Sequence, residues 1–88
     1  MRRNYEDPVY KVWRKEIYAR DKFQCQMPGC RKKRGLQAHH IEKWSSAAAL
    51  RFDPSNGITL CRNCHKTVTG HENYYKELFK EIIRKKHG

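Results

Sequence analysis

The first hydrophobic pattern along the chain has a helical period. Val9, Trp13 and Ile17 recur at intervals of four residues and form one apolar stripe. Asp7 stands directly before a proline, which is typical of a helix start because aspartate caps free N–H groups and proline suits the first helical position. The pattern therefore predicts an amphipathic helix from Pro8 to about Arg20.

A second helical pattern occupies the C-terminal part of the printed sequence. Its apolar residues are spaced at i, i+3, i+4, i+7 and i+8, and cations follow in the last turn, where the helix dipole favours positive charge. We expect this stripe to be core and assign it no ligand. The apolar residues are Tyr75, Leu78, Phe79, Ile82 and Ile83, and the cations are Arg84, Lys85 and Lys86.

Two shorter apolar runs in the middle of the chain predict strands. The run from Leu36 to Ile41 follows a basic loop, and the run from Asn56 to Cys61 opens with an Asn-Gly pair that signals a turn. The segment between them is long and mixed: its Ser-Ser-Ala-Ala-Ala-Leu stretch is compatible with a helical turn, and its Asp-Pro-Ser should be loop. A further short helix should begin at Cys64 and His65, and Gly70 should end it.

Two strands, a short helix and a longer helix at each end predict a small α+β domain. No repeat, low-complexity tract or linker interrupts residues 1–88, so we expect a single folded unit. Only 38% of the residues are hydrophobic, and a chain of 88 residues buries a limited share of its surface. The core should therefore need an additional staple.

The charge balance indicates what the domain contacts. The chain has 20 Lys and Arg residues against 9 acidic ones, a formal net charge of +11, which predicts a polyanionic partner such as nucleic acid. The first ten residues contain no apolar segment of a secretory signal, and no stretch approaches the length that crosses a bilayer, so we expect no membrane association. We therefore expect a cytoplasmic protein whose thiols stay reduced.

Four cysteines supply the expected staple. Cys25 and Cys30 form a C-x4-C pair, Cys61 and Cys64 form a C-x2-C pair, and turn-forming residues lie inside each loop. Two such knuckles can direct four thiolates to one tetrahedral Zn²⁺ ion, whose binding contributes on the order of 10 kcal/mol to folding. The alternatives are a disulfide pair, unrelated thiols, or a redox C-x-x-C, which would need a thioredoxin-like βαβ context that the sequence lacks.

Histidines form a second group of candidate metal ligands. His39 and His40 are adjacent near the end of the first predicted strand, and His65 follows a knuckle cysteine at the start of a helix. A hairpin of the two strands would bring the pair to face that helix, and few imidazoles on one ion leave coordination positions open, as in catalytic sites. Since neighbours on a strand point to opposite faces, the pair should sit where the strand ends or bulges. A structural pair without metal is the alternative.

Three motifs occur in order along the chain: C-x4-C, then A-H-H-I, then N-G-I-T-L-C-x-x-C-H-K. Together they resemble the signature of HNH endonucleases, which have the ββα-metal fold, and in particular the zinc-stabilised HNH proteins of bacteriophages and prophages. The resemblance covers roughly residues 13–70. By position it implies that His39 and His65 bind a catalytic divalent ion, that His40 is the general base, and that Asn56 holds the loop bearing His40 rather than serving only the Asn-Gly turn.

The resemblance implies hydrolysis of DNA phosphodiesters to a 5′-phosphate and a 3′-hydroxyl. His40 would take a proton from the attacking water, and Mg²⁺, Mn²⁺, Ni²⁺ or Zn²⁺ would stabilise the developing charge. One short domain holds one site, so we expect a monomer that nicks one strand of a DNA duplex. Many family members have another histidine four residues after the position of His65, where this chain has Thr69. Phage proteins of this kind often accompany the terminase, which implies packaging proteins as partners in a bacterial host cell.

Basic residues around the motifs are candidates for contacts with DNA phosphates, with weak sequence preference and strong salt dependence. For any one of them, a solvated surface position is the alternative. The competing hypothesis is a non-catalytic zinc-knuckle module that binds nucleic acid or a protein partner, and a toxin or homing nuclease would share the chemistry. The candidate contacts are Arg31, Lys32, Lys33, Arg34, Arg51, Arg62 and Lys66.

Overall fold

A two-stranded antiparallel sheet surrounded by three α-helices makes up the described part of the chain. The computed structural model describes residues 7–42, 49 and 51–87. This architecture confirms the small α+β fold that the sequence predicts and is consistent with a ββα arrangement. The elements are α1 (Pro8–Arg20), β1 (Leu36–His40), one turn of 3-10 helix (Pro54–Asn56), β2 (Gly57–Cys61), α2 (Arg62–Val68) and α3 (Glu72–His87).

Helix α1 begins and ends where the sequence predicts. Asp7 caps it by accepting a hydrogen bond from the N–H of Val9 at 2.8 Å. Its buried residues are Tyr10, Trp13 and Ile17, whereas Val9 is exposed. Val9 therefore lies outside the buried face although it shares the apolar spacing, because the helix meets the sheet through an i, i+3, i+7 row rather than an i, i+4, i+8 row.

Strands β1 and β2 form a hairpin whose two ends carry different side chains. Leu36 pairs with Cys61 at the cysteine end, and His40 pairs with Gly57 at the histidine end. Ile41 lies in the bend after β1, so the predicted strand is one residue too long. At about 3.3 Å per residue, the two ends of β1 lie about 13 Å apart.

The segment before β2 forms one turn of 3-10 helix, where the sequence predicts loop and strand. Asp53 caps this turn by accepting a hydrogen bond from the N–H of Ser55 at 2.9 Å. Asn56 is the last residue of the turn, so β2 begins one residue later than predicted. The Ser-Ala-rich stretch predicted as a helical turn lies outside the described residues except for Ala49.

Position 57 is a glycine because helix α1 leaves no room for a side chain there. Its φ of −130° and ψ of 150° are extended, so the Asn-Gly pair does not form the left-handed turn that it often signals. A Cβ at this position would lie 2.5 Å from Cζ2 of Trp13 and 2.6 Å from Cδ1 of Ile17. Helix α1 can approach the hairpin this closely only because residue 57 lacks a side chain.

Helix α2 begins inside the second cysteine pair. Cys61 is its N-cap, and the Sγ atom accepts a hydrogen bond from the N–H of Cys64 at 3.5 Å. The helix starts at Arg62, two residues earlier than predicted, because the knuckle itself is the first turn. It ends at Val68, and Gly70 follows in the left-handed conformation with φ of +86°.

Helix α3 contributes one side of the main core. Phe79 and Ile83 are buried, and Tyr75 and Ile82 pack against the core partly buried. Leu78 is 38% exposed, so the prediction that the whole stripe is core is wrong at this position, which lies at the edge of the apolar face. The other buried members of this core are Cys25, Ile41, Ile58, Leu60, Cys61 and Val68.

The hairpin separates this core from a smaller apolar cluster. Tyr10, Trp13 and Ile17 of α1 form the smaller cluster, with Ala38 of β1 packed against it. Each face of the hairpin is therefore covered, and residues at its histidine end are buried on both sides. Within the residues that the structure describes, no helix combines the length and hydrophobicity that crossing a bilayer requires.

Candidate functional site

The adjacent histidines end strand β1 and point to opposite faces of the hairpin. The ring of His40 stacks on Trp13 of α1, with centroids 4.2 Å apart and planes 13° apart. His39 faces the other side, where its centroid lies 5.4 Å from that of His65 and 5.7 Å from that of Phe79. Both histidines are less than 10% exposed, at 8% and 7%. The two histidines are the last residues of β1, so the pair lies at the strand end, where we expect it.

A backbone carbonyl orients the ring of His40. Nε2 lies 2.8 Å from the carbonyl oxygen of Arg51. A carbonyl only accepts hydrogen bonds, so Nε2 carries the proton, and a neutral ring then has its lone pair on Nδ1. Trp13 supports the ring from one face, and the indole is itself held because Nε1–H donates to the carbonyl of Asp53 at 2.9 Å. These contacts select one ring orientation and one tautomer.

Asn56 holds the backbone directly after His40. Its Oδ1 accepts a hydrogen bond from the N–H of Glu42 at 2.8 Å, and its Nδ2 donates to the carbonyl of Glu42 at 3.4 Å. Its own carbonyl accepts from the N–H of Ile41 at 2.9 Å. An amide side chain suits this position because it offers an acceptor and a donor to the same residue. These hydrogen bonds join Asn56 to the segment that follows His40, the segment on which the resemblance implies that Asn56 acts.

Glu42 joins the same bend to helix α3. Its carboxylate lies 2.9 Å from Nζ of Lys76 and 3.2 Å from Nζ of Lys80. Hydrogen bonds from Lys76 and then Lys80 hold the pKa of Glu42 below its usual range. The bend that follows the two histidines is therefore fixed from one side by Asn56 and from the other by α3.

His39 and His65 face one another at a spacing close to that of two ligands on one ion. Imidazole nitrogens bind transition metals at about 2.1 Å, so two rings at ligand angles of about 90–110° have centroids about 4.5–5.2 Å apart. The observed separation is 5.4 Å. Zn²⁺, Ni²⁺ and Mn²⁺ accept such nitrogen ligands together with water and phosphate oxygens.

Thr69 does not extend this histidine pair to a third ligand. It is the C-cap of α2, and its hydroxyl donates to the carbonyl of His65 at 2.8 Å. His71 lies beyond Gly70 and is exposed. Across the described residues, the four cysteines form the only group of three or more potential metal ligands. A metal ion between His39 and His65 would therefore complete its coordination with water and substrate.

The four cysteines converge on one point at the other end of the hairpin. Their sulfur atoms all lie within 4.8 Å of one another, and the Sγ atoms of Cys30 and Cys61 are 3.8 Å apart. A tetrahedron with Zn–S bonds of about 2.3 Å has sulfur–sulfur edges of about 3.8 Å. No disulfide joins any two of them. The donor set and its spacing fit a closed structural zinc site, formed by Cys25, Cys30, Cys61 and Cys64.

The protonation of these thiols reflects their crowding. The backbone N–H of Cys64 lowers the pKa of Cys61 to about 7 against the opposing effect of burial. Burial raises the pKa of Cys25, and burial together with the hydrogen bond to Cys61 raises that of Cys64 well above its usual range. Of these three thiols, Cys61 is therefore the one whose thiolate form the protein favours. A divalent cation would favour the charged form of all four, which is the state that binds metal.

The predicted DNA contacts fall into two regions. Arg31, Lys32, Lys33 and Arg34 are exposed and precede β1 at the cysteine end, about 13 Å or more from the histidines along the strand. At the other end, Arg51 is half-buried and supplies the carbonyl that His40 contacts. Arg62 and Lys66 are exposed on α2, and Lys66 directly follows a candidate metal ligand.

Sequence reasoning missed two contributors from α1. The sequence places Trp13 in an apolar stripe and no further, because spacing within a helix does not show which strand residue a side chain will contact. Arg20 forms an ion pair with Asp21 at 2.8 Å and donates to the carbonyls of Pro54 and Gly57. It thereby ties the end of α1 to the segment that carries Asn56. The one sequence signal for this contact is the adjacent arginine and aspartate at the end of the helix.

Comparison with protein families places these features in a known group. The model of the HNH endonuclease family matches residues 25–70, more than half of the chain. The matched range contains both cysteine pairs, the histidines of the hairpin and α2, and Asn56. Comparisons with curated proteins and with solved structures gave no match. The chain belongs to the HNH endonuclease family.

Proposed function

We propose that this protein is a metal-dependent endonuclease that nicks DNA, with His40 as general base and His39 and His65 as ligands of a divalent ion. One observation carries the proposal: β1 ends with a histidine on each face, one held by a carbonyl and an indole, the other facing His65. Membership in the HNH endonuclease family supports nuclease chemistry and DNA as the substrate.

The hydrogen bond to the carbonyl of Arg51 supports Nδ1 as the proton acceptor within His40. Since Nε2–H donates to the carbonyl, Nδ1 takes a proton from the water whose oxygen bonds to phosphorus. The bond from phosphorus to the 3′ oxygen breaks, and that oxygen takes a proton from solvent water to become the 3′-hydroxyl. The charged imidazolium keeps the same carbonyl as acceptor and gains the π face of Trp13 at 4.2 Å. The protein therefore stabilises the product state of the proton transfer without moving either neighbour.

A divalent ion bound by His39 and His65 would stabilise negative charge on the phosphate and on the departing oxygen. The protein's part is to hold those two side chains in place. His39 packs edge-on against Phe79, and the carbonyl of His65 accepts hydrogen bonds from both the N–H and the hydroxyl of Thr69. The ligands are thus oriented by the hydrophobic core on one side and by the end of α2 on the other.

We further propose Zn²⁺ for the four-cysteine site and a positioning role for it. Cys64 is adjacent to His65, and Cys61 caps the helix that carries both. A zinc ion there would fix the first turn of α2 and with it the backbone of His65. Three further expectations stay predictions of the sequence: a single domain over residues 1–88, a monomeric state, and a role beside a phage terminase.

Conversion of supercoiled plasmid to open circles tests the activity. Protein that retains its structural zinc is incubated with Mg²⁺, Mn²⁺, Ni²⁺ or Zn²⁺ in turn. We expect metal-dependent open circles that DNA ligase reseals without further treatment, because the proposed chemistry leaves a 5′-phosphate and a 3′-hydroxyl. A non-catalytic zinc-knuckle module would retard the plasmid in a gel but leave it supercoiled with every metal.

A further inference from the structure

A polar groove of about 350 Å³ runs between α1 and β1 and ends at His65. Helix α1 packs on the face of the hairpin that bears Ala38 and His40, whereas His65 lies on the face of His39. A groove with walls from both sides therefore follows the edge of β1. Residues 36–38 form its floor, and three α1 residues form one wall, namely Tyr10, Arg14 and Tyr18.

The α1 wall is organised around Arg14. Its guanidinium carbon lies 5.7 Å from the centroid of the Tyr10 ring, a cation–π distance. One turn further along, the hydroxyl of Tyr18 donates to the carbonyl of Leu36 at 3.1 Å and fixes the end of the groove away from Tyr10. Burial raises the pKa of Tyr18, and the nearby charge of Arg14 opposes that rise. Arg14 is thus ordered by the Tyr10 ring and lies in the same wall of the groove as Tyr18.

Arg14 has the properties of an anion-binding residue. It is half-buried, and within residues 7–42, 49 and 51–87 no carboxylate forms an ion pair with it. A guanidinium positioned in this way binds phosphate through two parallel hydrogen bonds. Its ordering by Tyr10 reduces the entropy lost when an anion binds.

The groove is better placed than the basic loop for an anion near the reactive centre. Residues 31–34 are exposed at the cysteine end of the hairpin, whereas the groove reaches His65 itself. From Tyr10 to Tyr18 the α1 wall of the groove spans about 12 Å at 1.5 Å per residue. Measured along the axis of a duplex, one DNA strand advances about three nucleotides over that length, at about 3.4 Å each.

We infer that this groove binds the phosphodiester backbone of the strand that is cut, and that Arg14 contacts a phosphate next to the scissile one. The inference rests on the proposed function for the identity of its ligand. Gln37 also lines the groove, and its side-chain amide can donate a further hydrogen bond. The contact is to the backbone, so it strengthens binding without selecting a sequence.

Two substitutions of matched charge test the groove. Arg14→Gln removes the guanidinium, and Lys15→Gln removes one charge from an exposed neighbour on α1 that does not line the groove. Fluorescence anisotropy with a short labelled duplex gives Kd across a NaCl series, with zinc-loaded protein and no added divalent ion. We expect Arg14→Gln to weaken binding about tenfold and to reduce the slope of log Kd against log salt by about 0.9.

The conservative variant and the kinetics sharpen this comparison. Arg14→Lys should restore the salt slope but only part of the affinity, because an ammonium cannot reproduce the two-pronged contact. In the nicking assay, Arg14→Gln should raise KM more than it lowers kcat, since the phosphate it contacts does not react. Thermal melts of each variant establish that the fold is intact.

The outcomes separate this inference from the proposed function. Equal Kd and equal salt slope for Arg14→Gln and Lys15→Gln would overturn the groove, even if the wild type nicks plasmid. A wild type that binds DNA with an Arg14-dependent slope but never nicks would leave the groove standing and overturn the nuclease proposal.

Discussion

The indole of Trp13 lies flat against the imidazole of His40, with centroids 4.2 Å apart and planes inclined by 13°. Trp13 is 1% exposed, and its Nε1–H is satisfied by the carbonyl of Asp53. Its edge packs against Gly57, which pairs with His40 in the hairpin. A residue of α1, outside the range that matches the family model, therefore positions the candidate base.

Substitutions of Trp13 should distinguish its support of the His40 ring from its contribution to the stability of the fold. Trp13→Phe keeps an aromatic face against His40 but loses the hydrogen bond to Asp53, so we expect a loss of about 1–3 kcal/mol in the free energy of unfolding and a modest fall in kcat. Trp13→Ala should cost about 3–5 kcal/mol and lower kcat much further at similar DNA affinity. Urea unfolding and single-turnover nicking measure the two effects.

The exposed aromatic Tyr74 provides the control for this series. Tyr74 is 81% exposed, so Tyr74→Ala should change neither quantity appreciably. A folded Trp13→Ala that nicks DNA at the wild-type rate would show that the stacked ring has no part in positioning His40.

Asn56 should affect catalysis through the bend after His40. Asn56→Ala leaves the N–H of Glu42 without its acceptor, so we expect a loss of about 1–3 kcal/mol in stability and a lower kcat as the bend loosens. Ser55→Ala is the neighbouring control, since Ser55 is exposed and its hydroxyl contacts only Asp53 among the described residues. If Asn56→Ala proves as active and stable as Ser55→Ala, the bend does not depend on this amide.

Loss of the proposed zinc ion should unfold the domain. Cys25 and Cys61 are buried in the main core at the cysteine end of the hairpin. Without a metal ion, their thiols would no longer be joined to the other two cysteines. We expect one equivalent of zinc per chain, and a strong chelator or Cys61→Ser should abolish the cooperative melt, since such sites contribute on the order of 10 kcal/mol. Metal analysis and circular dichroism measure this. A metal-free protein with an unchanged melting temperature would contradict the assignment.

Stability should carry a pH-dependent contribution from Glu42. Lys76 and Lys80 lower the pKa of Glu42 in the folded state, so the ion pairs stabilise the fold above the unfolded pKa. This contribution is lost as the pH falls below the unfolded pKa and through the folded one. The pairs are partly exposed, so we expect about 0.5–1 kcal/mol.

The comparison of Glu42→Gln with Glu77→Gln isolates this effect. Glu77 is exposed on α3, and both variants share the response of the cysteine site to acid. Urea unfolding should show Glu42→Gln less stable than the control near pH 7, with the difference shrinking near about pH 4. A difference that stays constant between the two pH values would exclude the ion pairs as its source.

Local signals along the chain predicted the elements and the two ligand groups, but not how the elements meet. The Asp7-Pro8 pair placed the start of α1, and the cysteine spacing indicated one cluster. The orientation of α1 about its axis could not be predicted, since Val9 and Tyr10 are both apolar and only contact with the hairpin decides which is buried. Gly57 was assigned to a turn for the same reason: its role depends on a helix that is remote in sequence.

The central claim is that His40 takes a proton from water during metal-dependent phosphodiester cleavage. The most direct test is the single-turnover nicking rate of His40→Ala beside His71→Ala, with zinc content and melting temperature measured for both. The account predicts that His40→Ala stays folded, binds DNA and loses at least about 100-fold in rate, whereas His71→Ala, an exposed histidine beyond Gly70, nicks like the wild type. A folded His40→Ala that nicks at the wild-type rate would contradict it.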